Sequence, residues 1–201
     1  MAIWLALFVL FAPAGQDLPE LIARIQRAVS ANSADQLEQL REPLRNTKAR
    51  YELAYVDWRL YTMLSGNREM QKRVSVYLPE AERQLKELLA ANPSDAEAHA
   101  LLCTVYGQEI GTSPFKGMTI GPKASREIEA AQKLAPDNPR VVLQSGISAF
   151  HAPKAFGGGK EKAEREFRRA ETLFAAEPAD HPWPNWGKAD VKMWLDKVAA
   201  K

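Results

Sequence analysis

Three stretches of this chain carry small or apolar residues at the same offsets, and that repetition limits the fold more than any other feature. Ala81, Leu85, Leu88 and Pro93 stand at offsets 0, 4, 7 and 12. Ala124, Ile128, Ala131 and Pro136 repeat them. Ala163, Phe167 and Ala170 repeat them again, with Ala175 in the proline's place. Offsets of 4 and 7 put one stripe on one helix face, and proline cannot continue a helix. A repeated helix with a fixed stop predicts an array that works by presenting a surface.

Helical periodicity also marks the regions before the first stripe. Leu18, Leu21, Ile22, Ile25 and Val29 predict a helix over residues 17–30, broken at Asn32 and Ser33. A second helix is expected from Ala34 to Leu44, with Pro43 as a kink or boundary. A third, over residues 48–64, carries Tyr51, Tyr55, Trp58 and Tyr61 as one stripe, which reads as core or as a binding groove. Ser65, Gly66 and Asn67 close it. No stretch alternates with the period of a strand, so the class is all-α.

The helices ahead of the stripes match a known pattern. A tetratricopeptide repeat opens with a large residue, then an apolar residue, a small residue and a tyrosine, in the order W-x2-L-G-x2-Y. After Pro93 those positions hold His99, Leu102, Cys103 and Tyr106; after Pro136 they hold Val142, Ser145, Gly146 and Ala149. Cys103 and Gly146 then mark where the two helices of a hairpin approach. Trp194 and Leu195 fall where a capping helix would open. The chain thus resembles tetratricopeptide proteins over residues 48–201. The resemblance implies an all-α, right-handed helical-hairpin array, an α-solenoid of about three repeats behind N-terminal helices in residues 15–47.

The spacing departs from 34 residues in an informative way. Pro93 to Pro136 is 43 residues and Ala124 to Ala163 is 39. Both excesses fall between the paired helices, at residues 111–122 and 151–159, so two loops are expected side by side on one edge of the array. Phe115, Lys116, Met118 and Phe156 on that edge are candidate partner contacts. The concave surface supplies the others: Glu97, Ala100, Thr104 and Gln108 from one repeat, and Arg140, Leu143, Ile147 and His151 from the next. This mix suits an extended peptide or a partner helix.

Other chemistry is not indicated. A net charge of +2 gives no case for nucleic acid, and the three histidines lack ligand spacing, so neither metal nor cofactor is expected. Cys103 is the single cysteine; His99 lies four residues before it, but nothing supplies an orienting acid or oxyanion donors, so an enzyme is not expected. Gly157, Gly158 and Gly159 with Lys160 and Lys162 could cradle a phosphate, yet no Gly-Lys-Ser/Thr ending follows. A hinge into the next helix, with Phe156 as an apolar plug, is the favoured reading. Asp180 and His181, in a turn with Pro178, Pro182 and Pro184, read as structural.

Residues 3–12 are continuously apolar, and Ala12-Pro13-Ala14 follows. This reads as a signal peptide over residues 1–14, although the first basic residue is Arg24. The run is shorter than the roughly 20 residues of a spanning helix, so membrane contact is expected only through an uncleaved N-terminus. Export to the periplasm or beyond is the expectation.

Ala155-Phe156-Gly157-Gly158-Gly159 followed by Lys162, Ala163, Phe167, Ala170, Leu173 and Phe174 resembles exported bacterial tetratricopeptide proteins. So does Pro184-Asn185-Trp186-Gly187 ahead of Trp194 and Leu195. These include the periplasmic T component of tripartite TRAP-type transporters. The resemblance implies a non-catalytic accessory subunit that docks a solute-binding protein and can carry a pore or a small hydrophobic ligand. The chain is therefore expected to be a protein-interaction module of the cell envelope, with a peptide or envelope protein as its partner. A carrier of a hydrophobic ligand is the alternative.

Overall fold

The computed structural model describes residues 17–113, 115–178 and 180–200, and no strand occurs among them. The expected signal peptide over residues 1–14 lies outside the described residues. Among the described residues no helix is long and apolar enough to cross a membrane.

Two N-terminal helices, α1 (Leu18–Ser30) and α2 (Ala34–Asn46), lead into three hairpins. The first pairs α3 (Arg50–Leu64) with α5 (Tyr77–Ala91) across a one-turn α4 (Gln71–Val74). The second pairs α6 (Ala96–Gly111) with α7 (Lys116–Leu134), and the third α8 (Pro139–His151) with α9 (Lys160–Ala176). A final helix, α10 (Lys188–Ala199), packs on α9 and α8 as a cap. The all-α hairpin array expected from the repeat is the architecture observed.

Local chemistry sets the starts and stops. Asp95 accepts the Ala98 N–H at 2.9 Å to cap α6, and Asn138 accepts the Arg140 N–H at 2.9 Å to cap α8. Helices α5 and α7 end two residues before Pro93 and Pro136. Where the third stripe lacks its proline, α9 runs through Ala175 to Ala176, and Pro178 stands two residues beyond. The stripes themselves are core: Ala81, Leu85, Ala131, Ala163, Phe167 and Ala170 are fully buried.

The small-residue slots hold as expected. Cys103 is buried among Ile128, Ala131 and Val141, and burial pushes its thiol up to about 11. A Cβ on Gly146 would come within 2.5 Å of the Phe167 ring, so only glycine lets α8 and α9 approach this closely.

Three expectations need correction. Pro43 does not end α2, which runs on to Asn46. The third helix starts at Arg50 rather than at residue 48. Most of the expected loop at 111–122 is helix: α7 begins at Lys116 and passes through Pro122. Gly117, Gly121 and Pro122 favour a loop locally, but Ile120 is buried against the large N-terminal core and draws the segment into α7. Residues 152–159 do stay largely irregular, with one short turn at Lys154–Phe156.

Candidate functional site

Helices α3, α6 and α8 are the first helices of their hairpins and line one inner face. After α9 the chain returns across that face instead of leaving it free. Trp186 is buried, and its indole N–H donates to the Tyr51 hydroxyl at 2.8 Å. Its ring lies 5.7 Å from Trp58 and 6.3 Å from Tyr55. Trp183 stands edge-on to Tyr55 at 4.9 Å and to Tyr51 at 6.4 Å. These are favourable aromatic geometries. Gly187 ends this strap at φ +97°, where a side chain is strained; a Cβ there would also meet Phe174 at 3.0 Å and Leu143 at 3.1 Å.

A buried arginine anchors the strap. Arg140 is 2% exposed; its Nε donates to Glu97 at 2.7 Å and its NH2 to Glu177 at 2.6 Å. Asn138 donates to the same Glu97 oxygen at 2.6 Å. The guanidinium also lies 5.7 Å from the Phe174 ring. Four proposed contact residues are therefore spent internally. Glu97 and Arg140 form this ion pair, Leu143 is fully buried under Gly187, and Thr104 is 9% exposed and donates to the Ala100 carbonyl at 2.9 Å. Ala100 is fully buried too. The reason is the strap, which takes the groove that a peptide was expected to fill.

The same face opens toward the hairpin tips. Helical spacing carries the inner stripe of α6 from Thr104 to Gly107, Gln108 and Gly111. Gly107 and Gly111 are exposed, and a Cβ at either would meet nothing within 4 Å. Gln108 and Ile147 are half-buried and His151 is exposed, so these three expected contacts remain accessible. His151 lies 5.2 Å from Phe150 and 5.8 Å from Trp194, and burial, then Lys197, holds its imidazole below the usual range. Lys197 in turn sits 4.2 Å over the Trp194 ring.

On the α3 side this open half is polar as well as aromatic. Arg59 lies 5.5 Å from the Trp58 ring and makes no ion pair among the described residues. Its Nε and the Trp58 Nε1 are buried with no hydrogen-bond partner there. Asp190, in the first turn of α10, is near enough for its charge to interact with Arg59. Burial pushes its carboxyl up and Arg59 draws it back. Tyr55 is pushed up to about 12 by burial, with Arg59 opposing and Asp190 adding.

The edge is a separate feature. Phe115 and Met118 are 83% and 82% exposed, as the sequence suggested, but at the start of α7 rather than on a free loop. Lys116 opens that helix and is half-buried. The Phe156 side chain lies outside the described residues. The sequence reading named Arg140, Glu97 and the Pro184-Asn185-Trp186-Gly187 segment but not their roles as anchor and strap, and it missed Arg59 and Asp190. A further signal was the clustering of three of the chain's five tryptophans at 183, 186 and 194.

Fold and inner face together define a helical-hairpin array whose inner face is partly filled by its own chain. This fold is shared with a solved structure, the HusA haemophore from Porphyromonas gingivalis, at a TM-score of 0.74 and 22% identity, over 92% of this chain and 94% of that one. No family profile and no curated protein matches the chain.

Proposed function

We propose that the chain is an exported, non-catalytic carrier of a flat apolar ligand of the haem class, held in the open half of the inner face. The observation that carries this reading is the division of that face. The strap removes the continuous groove an extended peptide needs, while Gly107 and Gly111 leave the tip of α6 without side chains and open to solvent. A flat ring lies well on such a surface, since apolar area and aromatic walls supply affinity and a few polar groups fix orientation. The fold shared with a haemophore over nearly the whole chain supports the same class of cargo. The apolar N-terminal run supports export.

The test is a titration of the purified chain with hemin, followed by the shift of the Soret band and by quenching of tryptophan fluorescence. Saturable binding at one equivalent is expected, and Gly107→Leu should weaken it by about tenfold through steric filling of that surface. A featureless titration would remove the carrier reading.

A second reading concerns the edge. Phe115 and Met118 are exposed on an ordered helix, and exposed large apolar groups mark interaction sites. They suit docking to an envelope protein, as kinship to the tetratricopeptide accessory subunits of transporters would require. Phe115→Ser should leave stability within about 0.5 kcal/mol of wild type and abolish capture of such a partner. Unchanged capture would remove the edge from consideration.

A further inference from the structure

Arg59 and Trp58 are left with unused donors at the boundary between the strapped and open halves. Trp58 is 6% exposed, and its indole N–H reaches no acceptor among the described residues. Arg59 has its Nε buried without an acceptor among the described residues, and its guanidinium lies 5.5 Å from the Trp58 ring. Buried donors are almost always satisfied, so a pair of neighbouring unsatisfied ones asks what satisfies them. Tyr55 stands one helical turn before Arg59, with a phenol held protonated and able to donate. All three side chains belong to α3, and the Tyr55 and Trp58 rings lie against the strap at Trp183 and Trp186.

A carboxylate nearby bears on the charge of what fits. Asp190 of α10 is close enough for its charge to interact with Arg59, and the two form no ion pair among the described residues. An acceptor group between them takes hydrogen bonds from Arg59 and Trp58, and it does so in the field of a nearby carboxyl. One negative charge, balanced by the guanidinium, is tolerated there. A dianion such as a phosphate is opposed by Asp190.

We infer that Arg59 and the Trp58 indole N–H receive a single carboxylate arm of the ligand, and that Asp190 excludes more highly charged groups. This rests on the carrier reading above and names the ligand more narrowly, as a flat apolar body bearing a carboxylate. A guanidinium–carboxylate contact is charge-assisted and can be bidentate, which orients the ring as well as holding it.

The experiment titrates the full chain with protoporphyrin IX and with its dimethyl ester, read by quenching of tryptophan fluorescence and by porphyrin absorbance. The free acid should bind the wild type at least about tenfold tighter than the ester, the size of one charge-assisted contact. Arg59→Gln should bring the acid down to the ester's affinity, with the fold checked by circular dichroism, and Arg59→Lys should keep part of the preference. Asp190→Asn should tighten the acid and leave the ester unchanged. Equal binding of acid and ester to the wild type would overturn the inference while leaving the carrier reading intact. So would undiminished acid binding by folded Arg59→Gln, or weaker acid binding by Asp190→Asn. If hemin and both porphyrins fail to bind the wild type, the carrier reading itself falls.

Discussion

The two halves of the inner face are built from the same three helices, yet one is closed and the other open. In the closed half the anchors are paired: Arg140 with Glu97 and Glu177, Asn138 with Glu97, Trp186 with Tyr51. The second Glu97 oxygen and the Trp183 indole N–H find no partner among the described residues, and neither do Arg59 Nε and the Trp58 indole N–H, while on α6 two glycines face open space. The contrast teaches that a repeat array need not use its whole groove for others. One part can be sealed by the chain's own return while the remainder stays open to solvent.

The largest expected effect comes from breaking the closed half at its anchor. Arg140→Ala should cost about 3–5 kcal/mol in urea denaturation, because it leaves Glu97 and Glu177 facing each other in a buried site. A loss below about 1 kcal/mol would mean that the strap is held by its tryptophans alone. Trp186→Phe is smaller. It keeps most of the ring packing and removes the bond to Tyr51, so about 1 kcal/mol should be lost. The smallest effect should have the opposite sign. Gly107→Ala places a methyl where nothing stands within 4 Å and replaces glycine in a helix interior, so stability should rise by about 0.5–1 kcal/mol. A destabilised Gly107→Ala chain would show that the open half is not open.

These differences track what could be read from the chain itself. The stripes through Ala81, Ala124 and Ala163 located three helices, and Cys103 and Gly146 located the close approaches, because those signals are local and periodic. Residues 116–122 misled, since two glycines and a proline outvoted Ile120 locally, whereas burial of Ile120 decided the outcome. Of the expected concave contacts, Arg140, Leu143 and Thr104 are buried and Glu97 is paired with Arg140, which spacing alone could not show. No period announces a strap. Its position depends on a pairing between Tyr51 and Trp186, 135 residues apart, which spacing cannot reveal. Arg59 escaped for a related reason. A charged residue on a helix reads as solvent-facing until the structure shows that part of it is buried without a partner.

The bond between Trp186 and Tyr51 also changes how the molecule comes apart. An open solenoid is held by nearest-neighbour contacts, so its terminal repeats fray independently. Here the segment that follows the last hairpin is fastened to the first helix of the first hairpin, and the intervening units lie inside a closed circuit. The first and third hairpins cannot separate without breaking that bond, although α1, α2 and α10 lie outside the circuit. The search for this long-range closure slows folding relative to an array of local hairpins.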